Sequence, residues 1–257
     1  MKKPLFYIHI PKTAGNSIIE IYNKNNILLG ESYWRKFKKN IPNYYDYLLD
    51  KKYINNLINY DNNNHHNIPI WHIPMVFWKD EIIKEFKDKY NIFCIIRNPY
   101  ERIVSDFKFW IKFYKNQSTG RLKHYYKNLL NNIYNIYNNN FEVNQINLNR
   151  IITKLLSNQK FKYALDGHLI PQYKYVFKKI DNKNIQIPNK ILRFENLNDD
   201  FNKFKNKYSN YIEDDIILNI HKNKTDSSSL LDLLYPETKK LIYNYYKKDF
   251  LYFGYSV

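Results

Sequence analysis

The chain has 257 residues, 44% of them hydrophobic and 18% aromatic, enough to bury a full core and too apolar for a disordered polymer. Its 41 basic against 24 acidic residues give a formal charge of +17, which predicts attraction to nucleic acid, acidic glycans, phosphate-rich cofactors or anionic membrane, although an excess of Lys, Asn, Ile and Tyr also fits plain compositional bias. The single cysteine, Cys94, excludes an intrachain disulfide or a cysteine-built zinc site, and no run of about 18 apolar residues is present to span a membrane.

Leu5 to Ile10 is an apolar, β-rich run that meets Pro11-Lys12-Thr13-Ala14-Gly15. Asn16 and Ser17 then lead into Ile18-Ile19-Glu20-Ile21-Tyr22, which has helical character. The pattern predicts strand, loop, helix. The first N–H groups of a helix lack internal partners and lie at the positive end of its dipole, so such a junction attracts phosphate or sulfate. Lys12 adds a mobile cation, Gly15 permits close backbone approach, and Thr13, Asn16 and Ser17 offer side-chain donors. It is not a Walker A loop, because Lys12 precedes the glycine instead of following it.

This stretch resembles the first loop of sulfotransferases that use 3′-phosphoadenosine 5′-phosphosulfate (PAPS). Its His9-Ile10-Pro11-Lys12-Thr13 spelling is most similar to the Golgi carbohydrate group, which includes heparan sulfate 2-O- and chondroitin sulfotransferases. The resemblance implies cofactor contacts from Lys12, Thr13, Ala14, Gly15, Asn16 and Ser17, with Lys12 also acting in catalysis.

From Tyr22 to Asn64 the chain is polar, aromatic and basic, and it reads as a helix with inward aromatics and solvated lysines more readily than as a stacking surface for bases or sugars. Ile68 to Phe77, punctuated by Pro69 and Pro74, predicts a short strand or extended segment carrying His72. In the carbohydrate group a histidine in a comparable place serves as general base, and a reference pKa near ~6.5 suits that role. The resemblance favours His72 over His65 or His66. Asp80 to Tyr90 follows as an amphipathic helix with Ile82, Ile83 and Phe86 on its apolar face.

Ile92-Phe93-Cys94-Ile95-Ile96 reads as a strand of a parallel sheet covered on both faces, with Cys94 a buried core residue. Arg97-Asn98-Pro99 ends it. Asn98 is a good N-cap, Pro99 fits the first helical position, and Glu101 completes a capping-box-like pattern. The run Arg97-Asn98-Pro99-Tyr100-Glu101-Arg102-Ile103-Val104-Ser105 is similar to the 3′-phosphate motif of the same sulfotransferases. That resemblance assigns the phosphate to Arg97 and Ser105, and a guanidinium fork suits bidentate phosphate binding. Arg102 is read as a helix-surface partner of Glu101 or Asp106, with an auxiliary cation as the other reading.

Lys115 to Lys162 is Asn- and Tyr-rich, with Leu129, Leu130, Ile133 and Ile136, then Ile146, Leu148, Ile151, Ile152, Leu155 and Leu156, at helical spacings. Asp166-Gly167-His168-Leu169-Ile170-Pro171-Gln172 resembles the family's His-x-x-Pro-Gln segment. His168 is thereby a candidate acceptor contact, or equally a structural turn histidine. Lys190 to Phe194 predicts a strand leading through Glu195 into a helix from Asn198. In the polar, basic loop 221–229, Lys224 and Thr225 are candidate cofactor contacts by the same resemblance. Pro236 opens a final amphipathic helix that uses Leu241, Ile242, Tyr245 and Phe250 and ends before Gly254.

Strands separated by helical stretches predict an α/β layered fold with the cofactor at the carboxyl ends of the strands. Resemblance implies a P-loop-like sulfotransferase fold, with a central, mostly parallel sheet flanked by helices, as a single domain over 1–257 with helical inserts at about 23–64 and 115–162. The implied reaction moves a sulfuryl group from PAPS to an acceptor hydroxyl, leaving adenosine 3′,5′-bisphosphate (PAP), without a metal. The expected acceptor is a carbohydrate, possibly acidic, with protein tyrosine or a small alcohol still open; nucleic acid is not expected. Rival readings are a non-catalytic binder of nucleic acid or glycan and, less well supported, a P-loop kinase. Met1-Lys2-Lys3-Pro4 enters the first strand without an apolar leader, so a soluble, cytoplasmic chain is expected.

Overall fold

A computed structural model of the chain describes residues 3–15, 17–18, 28–29, 68, 72–116, 143–163, 165–210, 212 and 228–257. The strands are β1 (Leu5–Ile8), β2 (Leu28–Leu29), β3 (Asn91–Ile96), β4 (Phe177–Ile180), β5 (Lys183–Gln186) and β6 (Lys190–Arg193). The helices are α1 (Asp80–Lys89), α2 (Pro99–Asn116), α3 (Gln145–Ser157), α4 (Tyr173–Val176), α5 (Leu197–Lys207), α6 (Ser228–Leu231), α7 (Pro236–Tyr245) and α8 (Lys247–Phe253). The chain divides into two compact units, Met1–Arg97 with Tyr163–Asn223, and Asn98–Lys162 with Lys224–Val257.

The first unit is α/β. Its central sheet has the order β2-β1-β3-β6 with every neighbouring pair parallel. A parallel sheet needs apolar side chains on both faces, which is why β1 and β3 are near-continuous hydrophobic runs. Alternation along the strands sends Leu5, Tyr7, Phe93 and Ile95 to a core with Leu192 and with Phe201 and Phe204 of α5. The Phe93 and Phe204 rings stand 4.6 Å apart. Phe6 points to the opposite face, where Phe86 of α1 lies 5.1 Å from it and also meets Trp78. Cys94 is fully buried in β3, as its apolar neighbours imply. Among the described residues no helix is long and apolar enough to cross a membrane.

The second unit is helical. As its sequence predicts, α2 starts at Pro99, with the Asn98 Oδ1 accepting from the Tyr100 N–H at 2.9 Å. Ile103, Val104, Phe107, Trp110 and Ile111 of α2 are buried, as are Leu148, Ile151, Ile152, Leu155 and Leu156 of α3. Asn149 joins α3 to the approach to α7: its Nδ2 donates to Leu233 O at 2.8 Å, and its Oδ1 accepts from the Tyr235 N–H at 2.8 Å.

Several expectations are corrected. The stretch read as a short strand or extended segment ends in a 3₁₀ turn at Met75–Phe77, after an extended Pro74; residues 69–71 lie outside the described residues. Arg102 is 2% exposed and Asp106 equally so, which rules out a surface ion pair; the Arg102 guanidinium lies 5.7 Å from the Tyr246 ring centre. The final helix is two, α7 and α8, broken at Tyr246, where φ −102° and ψ 20° leave the helical range. Ile146 is 68% exposed despite its spacing. Within the stretch 23–64 only β2 is described, and it pairs with Phe6 and Tyr7. The periodic residues Leu129, Leu130, Ile133 and Ile136 lie outside the described residues.

Candidate active site

Strand order places β2 and β3 on opposite sides of β1, so the chain changes direction of sheet growth between β1 and β3. In open parallel sheets ligands bind beyond the carboxyl ends of the strands at such a switch point. Both cofactor-like stretches of the sequence leave the sheet there. The loop after β1 begins at His9, and Arg97 follows the last residue of β3.

The loop is held in an unusual backbone. Lys12 and Ala14 both adopt left-handed φ, 68° and 76°, at a cost of about 1–3 kcal/mol per non-glycine residue. Such a conformation gathers successive amides into an anion-binding concavity. Thr13, between them, is fully buried and its hydroxyl donates to Ile10 O at 2.8 Å. Its side chain therefore braces the loop. Gly15, Ser17 and Ile18 are helical, with the Ser17 and Ile18 N–H groups donating to Ala14 O at 3.0 and 3.2 Å.

Against this loop stand histidines packed edge to face. The His9 and His72 ring centres are 4.7 Å apart and those of His72 and His168 are 5.2 Å apart, both edge to face. His72 Nδ1 lies 3.0 Å from Asp166 O. A carbonyl only accepts, so Nδ1 carries the proton and the lone pair is on Nε2, the tautomer a general base needs. Asp166 itself takes a left-handed φ of 57° to present that carbonyl. The His72 segment is braced from outside. Lys178 of β4 donates to Val76 O at 3.1 Å and pairs with Asp80 at 3.0 Å, while the Trp78 Nε1 donates to Ile73 O.

His9 is half-buried, its ring packed 5.8 Å from Tyr7 and against Gly15. Burial first, then the charges that His168 and Lys12 can carry, push its pKa down to about 3. It is a neutral imidazole at physiological pH. Burial likewise holds the Tyr7 phenol well above its usual range, opposed by Thr13, and its Oη makes no full hydrogen bond among the described residues.

Arg97 is buried, with its guanidinium carbon 4.0 Å from the Phe194 ring centre. Its peptide groups are taken by one side chain: the Gln172 Oε1 accepts from the Arg97 N–H at 2.9 Å, and the Gln172 Nε2 donates to Arg97 O at 2.7 Å.

Compared with known proteins, residues 1–256 match the model described as the sulfotransferase family. The chain belongs to the sulfotransferase family. No curated protein and no solved structure matches it.

In this sulfotransferase the structure brings together Lys12, Thr13, Ala14, Gly15, His72 and His168, all in the first unit with Arg97 and Ser17. Ser105 is buried on α2, in the second unit. Asn16, Lys224, Thr225, His65 and His66 lie outside the described residues. Sequence reasoning passed over His9, the Asp166 carbonyl, Gln172 and Phe194. His9 and Gln172 had a signal, since both stand inside quoted motifs. Nothing in the spelling shows that a backbone carbonyl fixes the His72 tautomer.

Proposed function

We propose that this sulfotransferase moves a sulfuryl group from PAPS to a hydroxyl of a carbohydrate, with His72 as general base. The observation that carries the reading is the His72 Nδ1–Asp166 O hydrogen bond, which directs the basic Nε2 away from its backbone anchor in a cluster beside the Lys12 loop. When bound, the nucleotide supplies a sulfuryl group attached to a phosphate leaving group.

The donor set fits such an anion. A lysine and the amides of a left-handed turn stand after β1, and a buried arginine stands after β3. Lys12 and these amides offset charge that gathers on the leaving phosphate, and being preorganised they need no reorganisation as it forms. The Arg97 guanidinium holds the 3′-phosphate. His72 Nε2 removes the acceptor's hydroxyl proton, and the edge-to-face contact with His168 at 5.2 Å helps hold its ring. The +17 charge favours an acidic glycan as acceptor, and the loop's likeness to the carbohydrate group supports the same class.

Calorimetric titration of the full chain with PAP beside adenosine 5′-phosphate tests the donor site. Preference for PAP by at least about tenfold, equivalent to roughly 1.4 kcal/mol, is expected. Equal binding contradicts the role given to Arg97.

A further inference from the structure

We propose that Gln172 and Phe194 are positioning residues for Arg97, fixing its backbone and its guanidinium so that it presents a preformed site to the 3′-phosphate of the donor. The inference rests on the reading of Arg97 as the residue that binds that phosphate.

The β3–β6 ladder ends at the pair Ile96 and Arg193. Arg97 is the next residue, so the strand pairing that would take its peptide groups has run out while the residue is still buried. An unpaired buried amide is costly. Gln172, itself fully buried, fills the place of the missing strand with one acceptor and one donor. Because one Arg97 group is an N–H and the other a C=O, only one orientation of the amide satisfies both. Phe194 follows β6 directly and its ring supports the guanidinium at 4.0 Å.

An arginine free at both ends loses backbone and side-chain freedom when it grips a phosphate; one already held loses less, and the difference appears as affinity. The placement of Gln172 also gives the His-x-x-Pro-Gln segment a double task. Asp166 O anchors His72 six residues before Gln172 anchors Arg97 (172 − 166).

The test is the ratio of the dissociation constants for adenosine 5′-phosphate and PAP, measured on the full chain. Gln172→Met keeps side-chain volume and makes neither bond. It is expected to shrink the ratio about tenfold while the affinity for adenosine 5′-phosphate changes by less than about threefold. A merely structural role would weaken both nucleotides together and leave the ratio unchanged, which overturns the proposal. Phe194→Leu leaves both Gln172 bonds in place and removes the aromatic ring. It is expected to shrink the ratio by a smaller factor, and it decides the matter if Gln172→Met lacks a cooperative thermal melt. A parent chain that does not discriminate contradicts the reading of Arg97 itself; a discriminating parent with equally discriminating variants overturns only the positioning role.

Discussion

A Cβ built on Gly15 would lie 1.9 Å from the His9 Nε2. Gly15 is needed here because a neighbouring ring occupies the space, and its own φ is that of an ordinary helix start. Gly15→Ala is expected to displace His9, loosen the loop and destabilise the fold by about 1–3 kcal/mol, the usual range for overpacking. Thermal melts of Gly15→Ala and Gly15→Ala/His9→Ala check the cause, because the double variant should recover part of the loss if the ring is what clashes. His9 also sets a pH dependence. Its folded pKa of about 3 lies below the reference value near ~6.5. Between these values the unfolded chain binds a proton that the folded chain refuses. The stability tied to neutral His9 is therefore complete above about pH 6.5 and falls as pH drops toward 3, with a slope below the one-proton limit of about 1.4 kcal/mol per pH unit. His9→Gln should flatten the melting temperature against pH in that window; an unchanged slope would assign the acid sensitivity to other groups.

Elements differ in how far their residues announced them. The β1–loop–helix junction and the β3–Asn98–Pro99 junction were legible because local chemistry decides them: an apolar run buried on both faces, a side-chain cap, a proline at the first helical position. The β4–β5 hairpin was not anticipated, although Asp181 and Asn182, with φ of 49° and 62°, are residue types that tolerate the left-handed turn a two-residue hairpin requires. The 3₁₀ turn after His72 escaped notice because buried apolar residues with prolines fit either an extended segment or a tight turn, and tertiary anchors such as Lys178 choose between them. Arg102 was misplaced for a related reason. Whether a helical Arg faces water or a buried ring depends on what packs there, and Tyr246, far away in sequence, is part of that answer. The site was half legible for the same cause: Lys12, His72 and Arg97 stand in recognisable spellings, whereas the groups that hold them act through space. Asn149 illustrates the cost of such a link. Asn149→Ala leaves the Tyr235 N–H and Leu233 O without their side-chain partner, and a loss on the order of 2–3 kcal/mol is expected in denaturant unfolding. A loss under about 0.5 kcal/mol would mean that water replaces the amide.

For the molecule as a whole, the formal net charge is the property read most directly from the sequence. At +17 the surface should draw in acidic acceptors and neutral ones should feel nothing. The KM for a uronate-bearing glycan is therefore expected to rise at least about threefold between about 0.05 and 0.2 M salt, with that of a neutral oligosaccharide unchanged. Equal salt responses would mean that the charge reflects composition instead of acceptor choice. The proposed catalytic residues are a smaller set at the carboxyl edge of one parallel sheet, where the His9 ring of the loop after β1 packs against His72. The most direct measurement is PAP formation from PAPS in the presence of a uronate-bearing glycan, by the parent chain and by His72→Ala. Turnover by the parent that falls by about 10²–10⁴ in His72→Ala, with PAP affinity unchanged, is the predicted result. Equal turnover by the two proteins would contradict the assignment of His72 as base.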